Sequence, residues 1–194
     1  MNKNTLRYRR NLEWGIPGGT NSELLGLFEL ILHIEEYFRS RDLKMIEIGS
    51  HMGESTSLFA SSQMFNEIHT IDPHEGEEEF NEMFNYSWQD IKDEWKINTR
   101  HYSDIITLHN SYSYQIVDGF KDQYFDFIYI DGAHDYDSVL RDIQTFLPKL
   151  KPGGIIAGHD YHGVWPGVMN AVNESVGIPD RVFRDTSWLK IKNI

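Results

Sequence analysis

Residues 125–161 read FDFIYIDGAHDYDSVLRDIQTFLPKLKPGGIIAGHDY and contain a complete strand–helix–strand unit. The apolar run Phe125–Ile130 predicts a buried strand, and apolar residues at helical spacing over 136–147 predict a helix that a proline ends. After the Lys-Pro-Gly-Gly turn at 151–154, residues 155–158 predict the next strand. Because a crossover helix joins strands that run in parallel, this segment predicts an α/β fold.

The same alternation of strands and helices extends over the rest of the chain. Further strands are predicted at 44–48, 68–72 and 105–109, further helices at 24–40, 54–65, 77–99 and 165–176, and a closing hairpin at 181–185 and 187–194. The pattern predicts a mostly parallel sheet with helices on both faces and an antiparallel hairpin at one edge. In such sheets, ligands bind beyond the carboxyl ends of the strands.

Length and charge limit the function. The chain has 194 residues, which fits one domain over 1–194, with an arm and helix at 1–40 and a core at 41–194. A formal net charge of −12 disfavours nucleic acids and anionic membranes as partners.

Residues 1–20 lack the apolar run of a signal peptide, so we expect a cytoplasmic protein. Those residues fit a lid or a contact in a homo-oligomer, and both alternatives stay open.

The first predicted strand ends in a glycine-containing loop, MIEIGSHMGEST at 45–56. Gly49 and Gly53 allow a ligand to approach the backbone at the amino end of a helix. Asp72 follows Gly53 at about the twenty-residue spacing at which an acid binds the ribose of an adenine nucleotide. The third glycine of a dinucleotide fingerprint is missing, and Glu47 would repel a pyrophosphate. S-adenosylmethionine instead carries an ammonium and a sulfonium group, which suit carboxylates.

Two motifs carry a resemblance to a known family. IEIGSHMGEST and HTIDPH resemble the first and second motifs of the class I S-adenosylmethionine-dependent methyltransferases. The resemblance covers about 44–194 and implies a Rossmann-like fold with a seven-stranded sheet. It also implies the residues that bind the cofactor, which are Glu47, Gly49, Ser50, Gly53, Asp72, Ser111 and Asp131.

Acids and imidazoles follow the fourth and fifth predicted strands. Asp131 and His134 come after the fourth strand, and His159, Asp160 and His162 come after the fifth. If these two strands are neighbours in the sheet, their carboxyl ends meet at one edge and these side chains converge, and they are the ligand types that divalent ions take. Aspartates also cap helices and loop histidines are often solvated, but the number of such residues at two strand ends favours a metal site.

Residues 125–161 further resemble bacterial O-methyltransferases that act on sugars, lipopolysaccharides and natural products, including macrocin O-methyltransferase-like and cephalosporin hydroxylase-like proteins. The resemblance implies a divalent ion, Mg²⁺ or Mn²⁺, held by Asp131, His159 and Asp160. Relatives often have a carboxylate or amide at the position of His159, whose imidazole favours an ion softer than magnesium. Asp131 and His134 are the expected catalytic residues, and His134 is either a ligand or the general base.

The expected reaction is methyl transfer to the hydroxyl of a sugar or small molecule. Such a hydroxyl is weakly acidic, so a metal ion that lowers its pKa and a nearby base favour an oxygen acceptor. Two alternatives stay open, an NAD-dependent oxidoreductase and a non-catalytic module that binds S-adenosylmethionine. Trp165 fits either a stacking platform for a sugar or a core residue.

Overall fold

The computed structural model describes residues 22–75 and 87–192. The strands are β1 (Leu43–Ile48), β2 (Phe65–Ile71), β3 (Ile106–His109), β4 (Phe125–Ile130), β5 (Leu150–Gly158), β6 (Arg181–Val182) and β7 (Trp188–Ile191). The helices of four or more residues are α1 (Ser22–Phe38), α2 (Glu54–Ser61), α3 (Trp88–Thr99), α4 (Ser113–Ile116), α5 (Tyr136–Phe146) and α6 (Pro166–Val176). None of these described helices combines the length and apolar character of a membrane span.

The seven strands form one sheet in the order β3-β2-β1-β4-β5-β7-β6. Strands β1 to β5 pair in parallel, and β7 pairs antiparallel with both β5 and β6. The predicted mixed sheet with a closing hairpin is therefore confirmed. The strand order reverses between β1 and β4, so the ends of these two strands border the crevice in which this architecture binds ligands.

Helices cover both faces of the sheet with separate apolar clusters. On one face α1 and α2 pack on β1, β4 and β5, and the fully buried Phe59 of α2 contacts the rings of Phe127 and Tyr129 with centroids 5.4 and 5.1 Å apart. On the other face α5 and α6 bury Ile143 and Val172 against the same strands. Because helices bury both faces of β4, nearly all residues of this strand are apolar.

The helix predicted at 54–65 was too long, because α2 ends at Ser61 and Phe65 begins β2. The hydroxyls of Ser61 and Ser62 donate to the carbonyls of Leu58 and Phe59. Gln63 then adopts a φ of 59°, a left-handed conformation that a helix cannot contain. Local hydrogen bonds and backbone handedness thus stop the helix before its apolar pattern ends.

The predicted turn at 151–154 was also wrong in part, since these residues form a bulge inside β5. Leu150 pairs with Phe125, whereas Ile155 already pairs with Phe127. The bulged segment hydrogen-bonds across the antiparallel side, where Gly153 N–H donates to the Lys192 carbonyl at 3.0 Å. The helix predicted at 77–99 is described only from Trp88, and its residues 77–86 lie outside the described part of the chain.

Candidate active site

The loop between β1 and α2 brings the first strand against the end of the fourth. Gly49 has a φ of 87°, and a Cβ atom there would lie 2.0 Å from the carbonyl oxygen of Asp131. The N–H of Asp131 donates to the Ile48 carbonyl at 2.8 Å. Gly53, with a φ of 75°, precedes the first residue of α2 and donates its N–H to the Ser50 carbonyl at 2.6 Å. The predicted cofactor loop and the predicted catalytic acid are therefore in backbone contact.

Asp72, the predicted ribose ligand, lies directly after β2 and holds this loop in place. Its Oδ2 accepts the N–H groups of Ser50 at 3.0 Å and His51 at 2.7 Å, and its Oδ1 accepts the N–H of His74 at 2.8 Å. A carboxylate offers about four acceptor positions, so one remains for a ligand hydroxyl. Asp72 thus fixes the loop and keeps an acceptor beside it.

Glu47 lies beneath the loop and is fully buried. Its carboxylate oxygens accept hydrogen bonds from the hydroxyls of Ser55, Thr56 and Thr70. Burial raises the pKa of Glu47 to about 7 although these three bonds oppose the rise. The structure therefore joins Glu47 to α2 and β2, and its predicted contact with the methionine part stays a prediction.

Three buried polar atoms beside this loop lack a hydrogen-bond partner among the described residues, namely Ser50 Oγ, His74 Nδ1 and Trp95 Nε1, the last of which would lie 3.2 Å from a Cβ atom at Gly53. The Nε2 atom of His74 lies 2.8 Å from the His51 carbonyl oxygen and must donate to it, which leaves Nδ1 as the acceptor of the neutral ring. An unsatisfied buried polar atom costs about 1–3 kcal/mol, so such atoms commonly mark the place of a water or ligand. Sequence analysis missed His74, although it lies in the HTIDPH motif.

The loop after β3 lies beside the loop that contains Asp72. The N–H of Asp72 donates to the His109 carbonyl at 3.1 Å, and the Asn110 amide donates to the Pro73 carbonyl at 2.7 Å. Ser111, the predicted adenine-side residue, follows directly and is half-buried. The predicted cofactor residues are thus brought to one edge of the sheet.

Four of the five predicted acids and imidazoles converge at the ends of β4 and β5. The Nε2 of His134 lies 2.8 Å from Oδ2 of Asp160, and the Nδ1 of His159 lies 3.3 Å from Oδ1 of Asp160 and 4.0 Å from Oδ1 of Asp131. Asp131, His134 and Asp160 each offer a ligand atom within 4.8 Å of the other two. His162 is exposed, and its Nδ1 accepts the N–H of Val164 instead.

The charges in this cluster depend on one another. Burial raises the pKa of Asp131 to about 6, and Asp160 adds to the rise while His159 opposes it. Burial alone would lower the pKa of His159, but its contacts with Asp160 and Asp131 raise it to about 10. Burial likewise opposes ionisation of Asp160, yet the hydrogen bonds from His134 and His159 hold its pKa well below the usual range. Two carboxylates thus face two imidazoles, a donor set that suits a divalent cation.

Trp165 lies at the rim of the cluster and is 40% exposed, so it is not a core residue. Its ring stacks on the imidazole of His134, with centroids 4.4 Å apart and planes 22° from parallel. Gly167, in the first turn of α6, packs so closely that a Cβ atom there would lie 2.8 Å from the His134 carbonyl oxygen. The start of α6 therefore holds the His134 segment in place.

A family model described as a methyltransferase domain matches residues 46–161, which run from β1 to the acids and imidazoles after β5. The chain belongs to this family. Two curated proteins, both described as uncharacterized, match this methyltransferase-family chain. An uncharacterized protein of Sinorhizobium fredii, y4gI, is 24% identical over 151 residues, and an uncharacterized protein of Acanthamoeba polyphaga mimivirus, R132, is 27% identical over 157 residues.

These matches cover 72% and 77% of this chain but 16% and 66% of the relatives' own lengths. Solved structures show the methyltransferase fold. Cofactor-bound Rv0187 from MTB matches with a TM-score of 0.64 at 15% identity, covering 98% of this chain and 89% of that one. CalS11, a TDP-rhamnose 3'-O-methyltransferase, matches with a TM-score of 0.56 at 14% identity, covering 97% and 93%. At these identities the similarity establishes the fold alone.

Proposed function

We propose that the chain is an S-adenosylmethionine-dependent methyltransferase that methylates a hydroxyl group of a sugar or another small molecule with the help of a divalent ion. The backbone contact between Gly49 and Asp131 carries this proposal. It places the loop that would hold the methionine end of the cofactor directly beside the cluster of acids and imidazoles. A methyl donor and an activated acceptor must meet at such a junction.

The residues around the loop fit the cofactor. The unpartnered atoms Ser50 Oγ and His74 Nδ1 offer hydrogen bonds to a polar ligand, and Asp72 keeps one acceptor position for a ribose hydroxyl. The carboxylates near the loop suit a cationic cofactor and would repel a pyrophosphate. These features favour S-adenosylmethionine over NAD.

The residues of the cluster fit a divalent ion. Asp131 and Asp160 would hold it together with an imidazole nitrogen, and the ion would supply positive charge that lowers the pKa of the acceptor hydroxyl. S-adenosylmethionine bound at the loop would supply its methyl group to the acceptor oxygen and would leave as S-adenosylhomocysteine. The hydroxyl proton passes to a base at the same strand ends. CalS11 acts on a sugar hydroxyl, so the fold accommodates such an acceptor.

The proposal is tested by measuring S-adenosylhomocysteine formation with a panel of sugar nucleotides and small alcohols, with and without a chelator. Asp160→Ala is expected to abolish most activity and its metal dependence, while the affinity for S-adenosylhomocysteine stays nearly unchanged because the predicted cofactor residues lie mainly at the first two strand ends. Asp137→Asn, a change at an exposed acid in the first turn of α5, is the matched control. Full activity on the acceptor after chelation would contradict the metal requirement.

A further inference from the structure

His134 and His159 compete for one role in the proposed metal site, because either imidazole can complete the ligand set that Asp131 and Asp160 begin. A nitrogen that binds an ion has no lone pair left to take a proton. The assignment of the ligand therefore also decides whether His134 can be the base.

We infer that His134 Nε2 is a metal ligand rather than the general base, and that the site binds transition-metal ions such as Mn²⁺ and Co²⁺ in preference to Mg²⁺. This inference rests on the proposed function, and it names the ligand set and the class of ion. His159 is then a positioning residue that acts through Asp160.

The first argument is the spacing of the donor atoms. Neighbouring ligands on a six-coordinate ion with bonds of roughly 2.1 Å lie about 3 Å apart. The 2.8 Å between His134 Nε2 and Asp160 Oδ2 is close to that spacing, and Asp131 offers an oxygen within 4.8 Å of a ligand atom of each of these two residues. Within the described part of the chain, no other set of three acids and histidines brings its ligand atoms within 4.8 Å of one another.

The second argument is that the two oxygens of Asp160 have different partners. His159 Nδ1 lies 3.3 Å from Oδ1, whereas His134 Nε2 lies beside Oδ2. His159 therefore contacts the carboxylate through the oxygen that His134 does not use, as a residue that orients a metal ligand does. Asp160 itself has a φ of 60°, a left-handed conformation that residues other than glycine seldom adopt.

The third argument concerns the imidazole plane of His134. The stacked ring of Trp165 and the close packing of Gly167 hold this plane, so Nε2 points at the Asp160 carboxylate before any ion binds. Fixed donors lose little freedom when they bind an ion. An imidazole nitrogen beside two carboxylates suits Mn²⁺, Fe²⁺, Co²⁺ or Zn²⁺, whereas an all-oxygen set suits Mg²⁺.

The test compares the wild-type chain with His134→Gln, His159→Gln and His162→Gln in calorimetric titrations with MgCl₂, MnCl₂ and CoCl₂. Electron spin-echo spectroscopy of the bound Mn²⁺ detects a directly coordinated ¹⁴N. The wild-type chain is expected to bind Co²⁺ and Mn²⁺ at least about tenfold more tightly than Mg²⁺ and to show the ¹⁴N coupling.

His134→Gln is expected to lose the ¹⁴N coupling and at least about 100-fold in Co²⁺ affinity, whereas His159→Gln keeps the coupling and loses about tenfold. His162→Gln, which changes an exposed imidazole outside the cluster, is expected to match the wild-type chain. Loss of the coupling in His159→Gln but not in His134→Gln would overturn the assignment, as would tighter binding of Mg²⁺ or the absence of metal binding. If metal binding follows the prediction but S-adenosylhomocysteine does not bind, only the proposed function fails.

Discussion

Replacement of Gly49 by alanine tests the junction between the cofactor loop and the catalytic acid. The added Cβ would lie 2.0 Å from the carbonyl oxygen of Asp131, 2.5 Å from its carbonyl carbon and 2.6 Å from the Cα of Gly132. All three atoms belong to the backbone, so no side-chain rotation relieves the clash. Gly49 also has a φ of 87°, a left-handed conformation that costs an alanine about 1–2 kcal/mol. The overpacking caused by the added Cβ costs about 1–3 kcal/mol more.

Gly49→Ala is therefore expected to lower the free energy of unfolding by about 2–5 kcal/mol, a large part of the ~5–15 kcal/mol that a domain has. The assay is urea unfolding followed by tryptophan fluorescence. Gly119→Ala is the matched control, because no atom lies within 4 Å of a Cβ at that position. If the free energy of unfolding of Gly49→Ala lies within about 0.5 kcal/mol of that of Gly119→Ala, the close contact with Asp131 does not exist.

Two further predictions concern pH. Burial raises the pKa of Glu47 to about 7, so the folded state binds this proton more tightly than the unfolded chain does, and stability falls as the pH rises from about 4.5 through 7; Glu47→Gln should flatten this dependence in urea titrations, and an unchanged slope would refute it. Burial, together with His69 at 2.9 Å, lowers the pKa of His109, so stability falls as the pH drops below about 6.5. His109→Gln should lose less stability between pH 7 and 5 than the wild-type chain, and an equal loss would show that another group is responsible.

The order of strands and helices could be predicted because local apolar patterns determine it. The predicted bounds of β4 are confirmed. They could be predicted because Asp131 and Gly132 follow directly after its mostly apolar residues. The end of α2 depends on the serine hydroxyls and on the handedness of Gln63, which no apolar pattern reveals. The bulge in β5 depends on Lys192, a partner that is distant in sequence.

The sequence could predict which strand ends form the candidate site, but it could not predict the contacts between individual side-chain atoms there. Parallel strands bring their carboxyl ends to one edge, so the convergence of Asp131, His134, His159 and Asp160 followed from the topology. The partner of each oxygen of Asp160 depends on side-chain torsions and on the stack between His134 and Trp165. The stack is made by Trp165, the residue directly before α6, and the sequence pattern does not specify how this segment packs.

The most direct test of the central claim is a calorimetric titration of the wild-type chain with S-adenosylhomocysteine and, separately, with NAD. The loop at Gly49 and Gly53, with Asp72 beside it, is expected to bind S-adenosylhomocysteine and not NAD. Asp72→Ala should weaken that binding by about 1–3 kcal/mol, the scale of a lost charge-assisted hydrogen bond. Tighter binding of NAD than of S-adenosylhomocysteine would contradict the account, and an unchanged affinity in Asp72→Ala would remove Asp72 from the cofactor site.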